Sequence, residues 1–385
     1  MRIDVFCHVV DNYGDAGVTW RLARQLAAEH GARVTLWIDA PTALARLVPG
    51  LDPDAGEALC DAVRVRRLDD NAADAAELPD LVVEGFGCGL PSAYVDAMAA
   101  ARAQPLWINL EYLSAEPWIE TVHGLPSPHP RLPLTRYFFF PGFTRATGGL
   151  LREHDLLARR DRARADAVRG FPTAVARVVE EASRSAHETA SPYVVSLFCY
   201  ANAALTALLD AWAEGDEPML CLVPEGVATA SFDAWLGGGV PHAGQCITHG
   251  ALTLATIPFL AQDAYDALLW SCDANFVRGE DSFVRAQWAA CPFVWHAYPQ
   301  ADDAHRVKVE AFLDRYLAEA PPDAADAVRA FWRAWNGGDA RAADAWTRLR
   351  GAMPALAGHD ARWAAHLAAL PDLASSLLNF ARDRL

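Results

Sequence analysis

Lysine is nearly missing from this chain. Of 33 basic residues, Lys308 is the only lysine, a bias read mainly as genomic composition. Basic residues are also outnumbered, 33 against 49 acidic ones, leaving a net charge of −16. That balance excludes a general nucleic-acid binder, whose affinity comes from neutralising phosphates. It favours a partner with a basic surface, drawn in by electrostatic steering. No apolar run approaches the ~20 residues that span a bilayer. The N-terminus runs straight into a strand pattern with no signal-peptide pattern, so a cytoplasmic protein is expected. Cys7, Cys60, Cys88, Cys199, Cys221, Cys246, Cys272 and Cys291 are scattered through apolar segments without Cys-x-x-Cys spacing. Reduced, buried thiols are expected. No Gly-x-Ser-x-Gly, Walker or dinucleotide fingerprint occurs. His8, His123, His129, His249 and His296 lack metal-ligand spacing and read mostly as structural, and no metal or other cofactor is expected.

What is present is enough apolar material for real cores. The chain has 385 residues, 52% hydrophobic and 21% charged, with mean hydropathy +0.05. Two domains are the natural reading of that length. The first half alternates strand and helix patterns: strands at 3–9, 33–38, 81–84 and 106–109, helices at 17–30 and 91–101, and an apolar run at 137–140. Residues 151–190 are rich in Arg, Ala and Glu and read as a solvated helical connection. A second alternation follows. Its strands lie at 193–198, 219–223, 251–257, 274–277 and 292–296, its helices at 203–213, 263–271 and 282–290. From 302 onward the pattern is almost wholly helical. Strict alternation implies parallel sheets covered on both faces. The expected organisation is an α/β chain with two Rossmann-like domains, at 1–150 and 191–370. A C-terminal helix at 371–385 would be free to pack back on the first. Two doubly wound halves facing across a cleft fit the glycosyltransferase architecture called GT-B. That is a fold-level inference and does not give a function.

Two acidic loops stand where such domains hold ligands, after a strand and at the start of a helix. The first is Asp11-Asn12-Tyr13-Gly14-Asp15-Ala16-Gly17. Gly14 and Gly17 allow close backbone approach. Asp11 and Asp15 read equally as a base with its partner or as an Asx turn capping the helix. The second loop is Arg278-Gly279-Glu280-Asp281-Ser282-Phe283. Its helix-start amides, Arg278 and the Ser282 hydroxyl suit a diphosphate. Glu280 and Asp281 would repel one, and suit sugar hydroxyls or the holding of Arg278; an acidic helix cap is the alternative. A third cluster, Phe198, Tyr200, Phe259 and Gln262, would sandwich and hydrogen-bond a pyrimidine, or be ordinary core aromatics.

Together these residues resemble a known family. The run from Asp11 to Leu26 is similar to the N-terminal motif of the EarP family, protein-arginine rhamnosyltransferases that modify elongation factor P. So is Asn109-Leu110-Glu111-Tyr112-Leu113-Ser114-Ala115-Glu116. The strongest likeness runs from Ile257-Pro258-Phe259-Leu260 and Gln262 to the segment Arg278 to Gln287. It ends at Pro292-Phe293-Val294-Trp295-His296 and Tyr298-Pro299-Gln300. The motifs are long and span the chain in order. Departures are small: Tyr13 where an aromatic, often Phe, is usual, and Cys291 where Lys often precedes the proline.

The resemblance implies a GT-B fold and transfer of rhamnose from dTDP-β-L-rhamnose, with inversion, to one arginine of elongation factor P. The modification serves rescue of ribosomes stalled at polyproline. It implies Asp15 as general base, Asp11 as its partner and Glu280 as a third essential carboxylate. Phe198, Phe259 and Gln262 would hold the thymine, with Tyr200 beside them. Arg278, Asp281 and Ser282 would lie at the sugar diphosphate, and Tyr13 and Gly14 in the acceptor loop. A GT-B transferase with another nucleotide sugar and acceptor, a sugar-nucleotide epimerase, and a non-catalytic binding module are the alternatives. Donor preference in a binding assay separates the first, and intact Asp11, Asp15 and Glu280 argue against the last.

Overall fold

The computed structural model describes residues 1–11, 13–68, 78–165, 170–185, 191–300 and 303–385. Asn12, Asp302 and parts of the 151–190 segment lie outside the described residues. The chain divides into two compact units. One holds Met1–Leu156 with His366–Leu385, the other Leu157–Ala365.

The first unit is built on eight strands. These are β1 (Arg2–Cys7), β2 (Arg33–Ile38), β3 (Glu57–Cys60), β4 (Val63–Arg67), β5 (Leu81–Gly85), β6 (Leu106–Leu110), β7 (Pro126–Pro128) and β8 (Thr135–Phe139). Their order across the sheet is β3-β4-β2-β1-β5-β6-β8-β7. The six inner strands are parallel, with Ile3 of β1 opposite both Val34 and Leu81. Parallel strands are covered on both faces, which is why β5 opens on the apolar run Leu81–Val83 and β1 buries Ile3, Val5, Phe6 and Cys7. Both outer strands are antiparallel. At β7, His129 donates its N–H to the Leu134 carbonyl at 2.8 Å. By alternation the outward amide positions fall on Pro126 and Pro128, which have no N–H, so this edge cannot template another strand.

The first strand sits in the middle of the sheet, with β2 and β4 to one side and β5, β6 and β8 to the other. Chain direction across the sheet therefore reverses between β1 and β5. In open α/β sheets, ligands bind at the carboxyl ends of the strands flanking such a switch point.

The C-terminal Leu373–Arg382 helix belongs to this unit. Asp372 caps it, accepting the Ser375 N–H at 3.0 Å and the Gln25 amide at 3.2 Å. Phe380 packs edge-on against Tyr137 and Phe139. A Cβ on Gly149 would lie 2.1 Å from the Pro371 carbonyl oxygen, so the approach of the tail requires glycine there.

The second unit repeats the logic with β9 (Tyr193–Leu197), β10 (Met219–Pro224), β11 (Cys246–His249), β12 (Leu252–Ile257), β13 (Ala274–Arg278) and β14 (Phe293–His296). The order is β11-β12-β10-β9-β13-β14, all parallel except β11. Its switch point lies between β9 and β13. The Thr173–Ser185 helix buries Val175, Val178 and Ala182 against Val194, Leu220, Leu222 and Ala255. It is part of this core, not the solvated link its Arg and Glu content suggests. The helices after residue 303 bring an aromatic cluster onto the sheet, with Phe312 stacked on Trp332 and Tyr316 and edge-on to Phe283.

Candidate functional site

In the first unit the switch point is occupied by the first acidic loop. The helix after β1 spans Gly14–His30, three residues earlier than its sequence pattern suggests, with Tyr13 at the N-cap. Asp15 therefore lies inside the first turn. There its charge suits the helix dipole, but its carboxylate does not serve as an N-cap. It reaches back, and Oδ2 accepts the N–H groups of Val10 and Asp11, both at 2.8 Å. Thr19 donates its hydroxyl to the Asp15 carbonyl at 2.8 Å. Asp15 is 2% exposed. One oxygen is committed to folding the loop, and Oδ1 carries no hydrogen bond among the described residues. The carboxylate therefore folds the loop in place of capping the helix, and Oδ1 is left for the other reading, a base.

Gly14 sets the position of Asp11. Its N–H meets the Asp11 carbonyl at 2.6 Å. A Cβ on Gly14 would stand 2.6 Å from Asp11 Oδ2. Because that oxygen ends a flexible side chain, Gly14→Ala should fold normally but swing the Asp11 carboxylate away. An active site is sensitive to such a displacement, and a loss of roughly 10- to 100-fold in turnover is expected with an unchanged unfolding temperature. Steady-state kinetics beside a melting curve checks this; unchanged turnover would contradict a role for Asp11.

Sequence reasoning missed several groups beside this loop. Asp39, at the end of β2, accepts the Val9 N–H at 2.9 Å and pairs with His8. Glu84 on β5 is 1% exposed. It accepts Trp107 Nε1 at 3.0 Å and the Gly89 N–H at 2.9 Å, and it pairs with Arg136 at 3.1 Å. At the carboxyl end of β5, Phe86 has φ of 57°, a conformation that is rare for a bulky side chain and that clusters at functional sites. Its ring stacks on Tyr112 with centroids 4.4 Å apart. The Gly87 N–H donates to Asn109 Oδ1 at 2.9 Å, tying this strained turn to the Asn109–Glu116 motif.

The second unit fills its own switch point with the other two clusters. Arg278 ends β13. Its guanidinium lies 4.4 Å from the Phe198 ring centroid and 4.7 Å from that of Tyr200, and Nη1 donates to the Cys199 carbonyl at 3.1 Å. These two aromatics are therefore a stacking surface around a cation as well as packing. The Ser282 hydroxyl accepts the Arg278 N–H at 3.0 Å and donates to the Arg278 carbonyl. It closes the turn, and is not pointed outward as the hydroxyl donor expected for a diphosphate. Gly279, at φ 62°, permits that turn. Glu280 stands at the N-cap of the Asp281–Ala289 helix without a side-chain capping bond, so the acidic-cap reading does not account for it. Asp281 Oδ2 accepts Gln262 Nε2 at 2.9 Å, which fixes Gln262, 4% exposed. Phe259 is half-buried just beyond the carboxyl end of β12. Tyr265, edge-on to Phe198 at 5.7 Å, and Tyr298, edge-on to Tyr200 at 5.5 Å, extend the aromatic wall; the sequence gives Tyr298 only as part of a motif and Tyr265 not at all.

Below this wall the Asp281–Ala289 helix is anchored by a buried bidentate pair. Arg285 Nε and Nη2 meet Asp266 Oδ1 and Oδ2 at 2.9 and 2.6 Å, both side chains being 1% exposed. Phe283 stacks on Trp295 at 4.1 Å. Site residues on this helix thus rest on rigid packing.

His296, at the end of β14, is 5% exposed. Burial first, then the charges of Arg278 and His305, push it down to about 4. An unfolded imidazole titrates near 6.5, so between these values the unfolded chain binds the extra proton. Stability therefore falls as pH drops from about 6.5 toward 4, by about 3 kcal/mol in total. The melting temperature of His296→Asn is expected to depend less on pH over that range than that of the parent. Equal slopes would contradict the assignment.

A family profile described as Elongation-Factor P (EF-P) rhamnosyltransferase EarP matches residues 3–382. The protein-arginine rhamnosyltransferase of Pseudomonas putida is 49% identical over 387 residues, covering 99% of both chains. That of Pseudomonas aeruginosa is 47% identical over 383 residues, again covering 99% of each. A solved structure described as the structural basis for EarP-mediated arginine glycosylation of translation elongation factor EF-P is 39% identical. It covers 100% of this chain and 99% of its own, with a TM-score of 0.68. An α-glucosyltransferase structure at 8% identity and TM-score 0.52 shares the fold alone. The expected GT-B fold and the family resemblance are both borne out: this chain belongs to the EarP family of elongation-factor-P rhamnosyltransferases.

Proposed function

We propose that this chain moves L-rhamnose from dTDP-β-L-rhamnose, with inversion, onto a guanidino nitrogen of one arginine of elongation factor P. The observation that carries the reading is the end-to-end match to EarP relatives, joined to carboxylates at one switch point and an arginine–aromatic cluster at the other.

A guanidinium is planar, delocalised and protonated, with a pKa above ~12. It is a poor nucleophile until anions orient its N–H groups and one accepts a proton. Asp15 is assigned as that base, through Oδ1, and Asp11 as the partner that holds the fork. As the nitrogen attacks the anomeric carbon, the bond from that carbon to the diphosphate oxygen breaks and the N–H proton passes to Asp15. Attack from the face opposite the leaving group inverts the β-donor to an α-linked product. Glu280 is assigned to the reacting sugar as the third essential carboxylate. Tyr13 and Gly14 shape the acceptor loop, and the stacked Phe86 and Tyr112 offer a flat π-face suited to a guanidinium.

On the donor side, Phe198, Tyr200 and Phe259 stack around the thymine and Gln262 hydrogen-bonds it, held in place by Asp281. Arg278 takes the diphosphate and stabilises the charge that grows as it leaves. Ser282 contributes by fixing the Arg278 turn. The reaction is placed in the cytoplasm, in keeping with eight cysteines that are all free thiols.

Calorimetric titration tests the donor assignment. The expected result is tight binding of dTDP-β-L-rhamnose and dTDP with little heat from UDP-glucose, and an α-configured product by NMR. Equal binding of both sugar nucleotides, or a β-configured product, would overturn it.

A further inference from the structure

His296 has one feature that packing does not explain. Its Nδ1 is fully buried and has no hydrogen-bond partner among the described residues. Buried polar atoms are nearly always bonded, so an orphan of this kind calls for an explanation, and a group that binds there is one.

The surroundings indicate what would bind. His296 and Arg278 are register partners on adjacent parallel strands, so their side chains leave the sheet on the same face. The Tyr200 ring, which lies under the Arg278 guanidinium, meets the imidazole edge-on at 5.3 Å. Trp335 closes another side at 5.7 Å. The backbone is clamped as well: Asn336 donates to the Trp295 carbonyl at 2.9 Å and accepts the Ala297 N–H at 3.0 Å. Both neighbours of His296 are thus fixed by one side chain. This ring is held rigidly, beside the cation assigned to the diphosphate.

We propose that His296 is a positioning residue for the donor, its Nδ1–H donating to an anionic oxygen of the sugar diphosphate held by Arg278. This rests on the donor reading given above. Burial keeps the ring neutral near pH 7, so it adds a hydrogen bond without a second positive charge. A neutral, preorganised donor aimed at an oxygen that gains charge contributes without reorganisation during the reaction.

The test compares His296→Ala, His296→Asn and His296→Gln by titration with dTDP-β-L-rhamnose and dTDP, and by donor and acceptor KM. The asparagine amide nitrogen falls near Nδ1; that of glutamine falls near Nε2. The expected result is roughly tenfold weaker donor binding in the Ala and Gln variants, with affinity retained in Asn and the acceptor KM unchanged in all three. Equal donor affinity in the parent and the Ala variant would overturn the inference. So would an Asn variant as weak as Ala. A parent protein that binds neither nucleotide would instead overturn the donor reading itself.

Discussion

Replacing Asp15 with asparagine is expected to slow transfer by about 10²- to 10⁴-fold, the usual worth of a positioned general base, while donor affinity stays within about twofold of the parent. The structure explains why asparagine is the informative choice. Asp15 Oδ2 holds the Val10 and Asp11 amides at 2.8 Å, and an asparagine oxygen can take over both bonds. The amide nitrogen then occupies the Oδ1 position and cannot accept a proton. Asp15→Ala removes the proposed base and the loop's anchor together. It leaves two N–H groups without their acceptor and is expected to lower stability as well, by roughly 1–3 kcal/mol. Kinetics and melting curves on the two variants separate catalysis from folding. Near-normal turnover in Asp15→Asn would remove the residue from the mechanism. Lost donor binding in that variant would show a wider structural role.

The largest effect on stability is expected at Arg285. Its bidentate pair with Asp266 is 1% exposed on both sides. Two buried charges attract strongly but are expensive to desolvate, so the intact pair is only modest evidence for stability. Removing one member is different, because the other charge stays buried without its bidentate counter-ion. Arg285→Ala is expected to cost about 3–5 kcal/mol, which for a unit of this size lowers the melting temperature by roughly 10 °C. The double variant Arg285→Met with Asp266→Leu should recover most of that loss. Thermal denaturation of the three proteins is the check; a single variant as stable as the parent would mean that the pair is solvated in solution. Donor affinity should fall with the single variant too, because Asp281 and Ser282 sit one turn before Arg285 on the same helix.

The parts of the fold legible in the sequence were those where one physical signal dominates. β1 and β13 are short and mainly apolar, with Ile3, Val5, Phe6, Phe276 and Val277 buried, because parallel strands are covered on both faces, and each leads into one of the acidic loops. The helix after β1 begins before its sequence pattern does because its N-cap is Tyr13, without a side-chain capping bond. Asp15 drew the start to itself, as capping residue types do. The β3–β4 hairpin is not legible in the sequence because its turn places Asp61 and Ala62 at φ 47° and 63° with no glycine to announce it. Thr173–Ser185 carries its apolar stripe at Val175, Val178 and Ala182 beneath a charged face, and composition concealed the stripe.

The site divides in the same way. Asp11, Asp15 and Arg278 stand out because their residue types follow strands in short polar loops, and Gln262 because aromatics accompany it. What they touch does not. The commitment of Ser282 to the Arg278 backbone, the strain at Phe86 and the unpartnered nitrogen of His296 exist only once distant strands pair. Glu84 and Asp266 lie within apolar patterns, where a single carboxylate gives no sign of its buried partner.

The most direct measurement is the intact mass of purified elongation factor P after incubation with this protein and dTDP-β-L-rhamnose. The expected result is a gain of one deoxyhexose residue, absent when the acceptor arginine is replaced by lysine and absent with the Asp15→Asn enzyme. No gain in mass, with donor binding demonstrated in the same preparation, would contradict the assignment of elongation factor P as the acceptor.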